Sequence, residues 1–206
     1  VIDGIADACY READCTVLEI GPGIGTLTRS LAARYRQVIA LEIDRSLIPV
    51  LRYTLEDCPN VTVVNEDVMQ TDLGELLADA FQAGPVAVCA NLPYYITTPI
   101  LMKLLESRLP FAGITVMVQA EVADRLCAKA GAKAYGAITA ALNYYGAAEE
   151  ILFVPADRFV PAPKVNSKVT RITLWKEKPC VPESEEMLFR TIKAAFGQRR
   201  KTLANA

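Results

Sequence analysis

The most chemically pointed stretch of the chain is Asn91-Leu92-Pro93-Tyr94-Tyr95-Ile96-Thr97-Thr98-Pro99. An Asn followed by a rigid X-Pro, an aromatic ring and a helix start presents an amide oxygen, one or two backbone carbonyls and a ring face to one small space. That set suits an exocyclic amine: two acceptors take its two N–H bonds, and the ring stacks on the attached base. The competing reading is a plain loop in which the Asn caps and the Tyr packs. The chain contains no histidine, which excludes imidazole triads, His-ligated zinc hydrolase sites and His-based proton shuttles.

A second constellation lies upstream. Glu19-Ile20-Gly21-Pro22-Gly23-Ile24-Gly25 closes a predicted strand and runs straight into Thr26-Leu27-Thr28. Glycines there let the backbone turn tightly and let a ligand approach the main chain more closely than any Cβ would permit. The third glycine comes early and Pro22 lacks a backbone N–H, so the turn is a poor cradle for a pyrophosphate. Glu42 and Asp44 follow about twenty residues beyond the first glycine, where an acid can accept hydrogen bonds from both ribose hydroxyls of a nucleoside. Glu42 is the choice, because Asp44 can instead cap the next helix. Glu66-Asp67 closes the third strand, at the height of an adenine amino group. Three acids over neighbouring strands imply a nucleoside-containing cofactor, and one without phosphates.

The elements that must position these groups are short. Strands are predicted at residues 16–20, 38–43, 61–66, 86–90 and 114–119, with helices at 26–34, 46–57, 98–108 and 121–130 between them. Strands separated by helices pair in parallel through crossovers, which gives a doubly wound α/β sheet covered on both faces. After a further helix near 135–144, segments 150–154 and 168–175 are joined by the proline-rich stretch 155–163 and read as a hairpin at a sheet edge. A proline-flanked break at 179–182 precedes an amphipathic helix at 183–196, the opening of a smaller helical unit.

At 206 residues and 52% apolar, the chain has enough material for one sizeable core. Cys9, Cys15, Cys58, Cys89, Cys127 and Cys180 form no CxxC pair, as expected of free thiols in a reducing cytoplasm. No apolar run is long enough to span a membrane, and the acidic N-terminal stretch is no signal peptide. Net charge is only −2, yet residues 1–110 carry 8 basic against 15 acidic side chains and residues 111–206 carry 14 against 9. A polyanion is therefore expected to dock on the C-terminal half.

Together these motifs resemble the class I S-adenosylmethionine-dependent methyltransferases that act on amino groups. The string Asn91-Leu92-Pro93-Tyr94-Tyr95-Ile96-Thr97-Thr98-Pro99 is similar to that of the ribosomal RNA adenine N6,N6-dimethyltransferase family. The likeness continues in order through Val118-Gln119 with Glu121-Val122-Ala123-Asp124-Arg125-Leu126, then Tyr135-Gly136 and Phe159-Val160-Pro161-Ala162-Pro163-Lys164-Val165-Asn166-Ser167. It ends at Arg199-Arg200-Lys201-Thr202-Leu203, the opening of the family's C-terminal domain. Family members carry a Gln-Asn-Phe-Leu segment that closes over cofactor and substrate, which has no counterpart before Val1. They also continue into a helical domain beyond the residue matching Ala206. The expected division is a catalytic domain at 1–178 without its N-terminal lid, and the start of a truncated helical domain at 179–206.

The resemblance implies a Rossmann-like class I methyltransferase fold, with a mostly parallel seven-stranded sheet and an edge hairpin. It implies S-adenosylmethionine as methyl donor, S-adenosylhomocysteine as product and no metal. Cofactor contacts are expected from Glu19, Gly21, Gly23, Glu42, Ile43, Asp67, Val68 and Asn91. Asn91, Leu92, Pro93 and Tyr94 would hold the target adenine, with Phe159 on its opposite face. The implied substrate is a pair of adjacent adenosines in the hairpin near the 3′ end of small-subunit ribosomal RNA, on an immature 30S particle. Lys164, Lys168, Arg171, Arg199, Arg200 and Lys201 are expected near its phosphates, on a cytoplasmic monomer. Alternatives are a large-subunit adenine methyltransferase of the antibiotic-resistance type, a non-catalytic assembly factor, and a protein glutamine methyltransferase. The last would prefer Asn-Pro-Pro-Tyr where this chain has Leu92.

Overall fold

The computed structural model describes the chain from Val1 to Ala206 except Arg11, Ala13, Val160 and residues 198–206. Five runs of β-branched and aliphatic residues form parallel strands: β1 (Thr16–Ile20), β2 (Gln37–Leu41), β3 (Val61–Val64), β4 (Val86–Asn91) and β5 (Gly113–Gln119). With β6 (Gly146–Val154) and β7 (Ser167–Leu174) they make a seven-stranded sheet in the order β3-β2-β1-β4-β5-β7-β6, in which β7 is antiparallel to both neighbours. The helices are α1 (Ile2–Ala8), α2 (Thr26–Ala32), α3 (Ile48–Thr54), α4 (Leu73–Leu76), α5 (Ala78–Ala83), α6 (Thr97–Glu106), α7 (Ala120–Leu126), α8 (Ala137–Tyr145) and α9 (Glu185–Gly197).

Every residue of β1 is buried, as a strand must be when parallel neighbours flank it and helices cover both faces. Side-chain alternation sorts the strands into two cores. Leu18, Ile39, Val88 and Ile114 pack with residues of α6, α7 and α8, whereas Val17, Val38, Ala87 and Met117 pack with residues of α1 and α2. Each fully buried aliphatic side chain contributes about 1.5–3 kcal/mol, so these two layers hold the strand ends in fixed relation.

The predicted strands and the edge hairpin are present, with differences that have local causes. The helix expected at 46–57 is divided: Asp44 caps a 3-10 turn at Arg45–Leu47, and α3 then starts at Ile48 with Pro49 in its first turn. The helix expected at 121–130 ends at Leu126. Three helices were not expected. Helix α1 is seven residues long, and its acids find partners across the fold, Asp3 in Ser30 and Arg34, and Asp7 in Arg34. Helices α4 and α5 are too short for a helical period to be legible, and α4 is held by the Asp72 side chain accepting from the Gly74 and Glu75 amides. The hairpin differs in extent, since β6 begins at Gly146 directly after α8, and β7 lies inside it against β5.

Helix α9 packs along α8. Phe189 stacks on Tyr145 at 5.7 Å, and Phe196 meets Tyr135 at 6.0 Å. Glu185 accepts from the Tyr144 hydroxyl and pairs with Arg108 and Lys178. These partners, the Lys178 ammonium foremost, hold its carboxyl down to about 2. All six cysteines are free, and no helix among the described residues is long and apolar enough to cross a membrane.

A methyl group added at Gly146 would collide with the Thr173 carbonyl of β7. Gly146→Ala is therefore expected to lower unfolding free energy by about 1–3 kcal/mol, read as a lower urea midpoint with an unchanged slope.

Candidate active site

The carboxyl ends of β3, β2, β1 and β4 stand side by side, and the chain leaves β1 through the glycine turn. Gly21 and Gly23 have φ of 70° and 59°, a left-handed backbone that favours glycine, and a Cβ at either would meet nothing within 4 Å. Their main chain therefore faces open space. Gly25 differs, because a Cβ there would press on Thr54 and Leu55. It serves the packing of α2 against α3.

Glu42 is the first residue beyond β2 and is nearly fully buried. One carboxylate oxygen accepts from the Gly23 amide at 3.2 Å and the other from the Asp44 amide at 2.8 Å. A carboxylate has about four acceptor sites, so capacity remains for ligand hydroxyls. Asp44 accepts from the Ser46 amide and hydroxyl, the capping role weighed for it from sequence. Asp67 accepts from the Met69 amide at 2.8 Å, while Glu66 takes the Thr71 hydroxyl. Ile43 is 64% exposed, whereas Val68 is only 8% exposed and packs into the core beneath. Sequence reading missed Asn65, whose amide donates to the Glu42 carbonyl at 2.7 Å and ties the ends of β2 and β3 together.

Glu19 lies at the end of β1 with 1% of its surface exposed. Among the described residues its Oε2 has no hydrogen-bond partner, and neither does the buried Thr28 hydroxyl. Burial pushes the Glu19 carboxyl up to about 7, and the Glu42 carboxylate adds to it. An unsatisfied buried carboxylate beside two glycines open to a ligand, with Glu42 and Asp67 over the neighbouring strands, fits a cationic nucleoside without phosphates.

On the other side of β1, Asn91 ends β4 and is exposed, and its side-chain amide has no hydrogen-bond partner among the described residues. The following turn is rigid. The Leu92 amide donates to the Met117 carbonyl, and the Pro93 carbonyl accepts from the Ile96 amide at 3.2 Å and the Thr97 hydroxyl at 3.0 Å. Asn91, Leu92, Pro93 and Tyr94 line a cleft of about 290 Å³ together with Phe159, Pro161 and Pro163. The fold thus brings Phe159 into the same cleft as Asn91 and Tyr94. Sequence reading missed Ser167, which sits at the start of β7 with its hydroxyl 2.9 Å from that of Tyr94. Ser167 closes the stretch Phe159–Ser167 of the family likeness, but that stretch gives it no role; only the return of β7 to the top of the sheet makes the pair.

The expected phosphate-binding cations divide. Lys164 is exposed and has no carboxylate partner among the described residues. Lys168 is held between Asp124 at 2.7 Å and Glu150 at 2.8 Å, which raise its ammonium to about 12. Arg171 lies directly across from Glu149 in the β6–β7 register and bonds it through two nitrogens. Carboxylates of α7 and β6 have therefore claimed both. Arg199, Arg200 and Lys201 lie outside the described residues.

Glu19 makes the crevice sensitive to pH. Its folded-state carboxyl is raised above the ordinary value, so its contribution to the stability of the ligand-free chain is full at low pH and is lost as pH rises through about 7. Glu19→Gln should therefore stabilise the chain at pH 8, by up to about 3 kcal/mol, and change little at pH 5. A ligand ammonium favours the ionised carboxylate, so calorimetric affinity for S-adenosylhomocysteine should rise from pH 6 to pH 8. Glu19→Gln should flatten that rise.

The chain matches the ribosomal RNA adenine dimethylase family over residues 1–206. It is 47% identical to ribosomal RNA small subunit methyltransferase A of Alkaliphilus metalliredigens, covering all of this chain and 72% of that one. It is 48% identical to the protein of the same name from Geobacillus thermodenitrificans, covering 70% of it. Among solved structures, a dimethyladenosine transferase from Plasmodium falciparum superposes with a TM-score of 0.82 at 27% identity, over 98% of this chain and 70% of that one. The 23S rRNA methyltransferase ErmE superposes with a TM-score of 0.80 at 29% identity, over 99% and 79%. The mostly parallel seven-stranded sheet is thus the Rossmann-like methyltransferase fold. With the glycine turn, the acids at the ends of β1 to β3 and the Asn91–Tyr94 cleft all at the carboxyl edge of one sheet, the chain belongs to the ribosomal RNA adenine dimethylase family.

Proposed function

We propose that the chain is the catalytic part of an S-adenosylmethionine-dependent enzyme that dimethylates adenine N6 in ribosomal RNA. Its substrate on this reading is the pair of adjacent adenosines in the 3′-terminal hairpin of 16S rRNA, on an immature 30S particle in the cytoplasm, and the enzyme acts as a monomer. The observation that carries the reading is an Asn91 amide without a hydrogen-bond partner among the described residues, sharing a cleft with Tyr94 and Phe159 one strand away from the acid-lined glycine turn. Residues 1–178 form the methyltransferase domain and 179–206 open the helical domain that follows it.

The bound cofactor supplies an electrophilic methyl group, and Glu19, Gly21, Gly23, Glu42, Ile43, Asp67 and Val68 would hold it. The protein acts on the amine. Adenine N6 is a poor nucleophile because its lone pair is delocalised into the ring. Hydrogen bonds from N6–H to the Asn91 side-chain oxygen and the Leu92 carbonyl favour a more tetrahedral nitrogen and aim its lone pair. No strong base is needed before attack, in keeping with a chain that has no histidine. Tyr94 stacks on the extruded base and Phe159 covers its other face, each stack being worth about 1–3 kcal/mol. Lys164, exposed and without a carboxylate partner among the described residues, would meet phosphate; Arg199, Arg200 and Lys201 are assigned the same role from sequence alone. Lys168 and Arg171 could join only by leaving their carboxylates.

The test is incubation with labelled cofactor and immature small or large subunits, followed by nucleoside analysis. Dimethyladenosine in small-subunit RNA is expected; label confined to large-subunit RNA would move the assignment to the type of reaction in ErmE's name. Asn91→Ala should abolish transfer while S-adenosylhomocysteine affinity stays within about twofold. Tyr94→Ala should lower kcat/KM by roughly 10- to 100-fold. Tyr94→Phe and Ser167→Ala each lose only a neutral hydrogen bond and should cost about 2- to 10-fold. Equal losses in Tyr94→Ala and Tyr94→Phe would show that the hydroxyl, not the ring face, does the work.

A further inference from the structure

The loop after β3 carries the proposed purine-side residues Asp67 and Val68. The Asn91–Tyr94 turn leads within a few residues into α6. Between α6 and this loop lies a cleft of about 690 Å³, lined by Met69, Thr71, Asp72, Pro99, Met102 and Lys103 among others. Apolar packing therefore leaves the two incompletely joined. Lys103, in the last turn of α6, spans the gap: its ammonium donates to the Met69 carbonyl at 2.9 Å and to the Thr71 carbonyl at 2.9 Å. Among the described residues these are the only side-chain hydrogen bonds linking the loop to α6, and Lys103 has no carboxylate partner. The two carbonyls flank the stretch in which Asp67 accepts the Met69 amide and Thr71 bonds both Glu66 and the Asp67 carbonyl. A charged donor on two carbonyls is a strong, directional tether, and it fixes where the Asp67 turn sits relative to the rod that carries the target turn.

From this we infer that Lys103 is a positioning residue for the cofactor's purine, setting the loop that presents Asp67 and Val68 at a fixed height above the sheet. The inference rests on the cofactor crevice proposed above. It assigns Lys103 no contact with the cofactor or the target base. Its effect passes through the loop, so it should be felt in cofactor binding and not in the chemical step.

The test compares Lys103→Met, Lys103→Gln and Lys103→Arg with the unaltered chain. S-adenosylhomocysteine and adenosine are titrated calorimetrically, and KM for S-adenosylmethionine is separated from kcat on RNA. Lys103→Met should weaken both ligands by the same factor, about tenfold, because adenosine carries only the purine end. KM should rise by that factor while kcat at saturating cofactor stays within about twofold. Lys103→Gln, which can donate to one carbonyl and supplies the readout should Lys103→Met fail to fold, should weaken both ligands less. Lys103→Arg should restore most of the affinity. Unchanged affinity in the Met and Gln variants would overturn the proposal, as would a loss confined to kcat, or a weakened S-adenosylhomocysteine with unaffected adenosine. If the unaltered chain binds neither ligand, the crevice assignment itself fails and takes the proposal with it; if it binds both and the variants do not differ, only the role of Lys103 fails.

Discussion

Strand β1 pairs in parallel with β2 on one side and β4 on the other, and every candidate site residue depends on that placement. Right-handed crossovers send the chain outward from β1 to β2 and β3, then back across to β4, so the connections diverge above the β1–β4 boundary and leave a crevice there. Register makes the match specific. Glu19 lies opposite Cys89 and Ile20 opposite Ala90, so the glycine turn and Asn91 are the next step up on the two strands. A slip of one residue would turn Glu19 and Asn91 to the opposite face, and the complete burial of β1 on both faces forbids it.

What gathers at that edge is electrostatically costly. Glu19, Glu42 and Asp67 stand at the carboxyl ends of three neighbouring strands, and no Lys or Arg among the described residues is ion-paired with any of them. Backbone amides satisfy Glu42 and one oxygen of Asp67, but Glu19 retains an orphan oxygen and a raised carboxyl. Elsewhere the fold spends its cations freely on carboxylates, as in Lys168 between Asp124 and Glu150 or Arg171 against Glu149. The crevice is the exception, a concentration of negative charge tolerated because the two apolar layers below over-determine the strand ends. Such a site suits a positively charged ligand and is less stable without one.

The target side is assembled by distance in sequence. Tyr94 and Ser167 are separated by 73 positions, yet their hydroxyls meet because β7 runs antiparallel and restarts at the top of the sheet beside β5. The same return brings Phe159 and two prolines over the Asn91 turn. The Asn166 side chain accepts from the Ala156 amide, closing the base of the loop that carries them. Pro161 and Pro163 line one wall of the cleft, and the turn on the other leads into α6.

Composition and local pattern determined much of this protein. The β-branched runs, their spacing and the helices between them settle the sheet class, because burial on both faces demands continuous apolar strands. The glycine turn was legible because Gly21 and Gly23 occupy a conformation other residues resist, and the Asn91–Tyr94 turn because Pro93 fixes its backbone. Three things only the tertiary structure decided. Helices α1, α4 and α5 are too short for their own periodicity to show, and they form because Arg34, Asp72 and the cores hold them. Whether a cation is available to a ligand depended on cross-strand register, which paired Arg171 with Glu149 and left Lys164 exposed. The contacts of Ser167, Asn65 and Lys103 with the site are long-range, and nothing in a residue's own neighbourhood records a partner that chain topology alone brings within 3 Å.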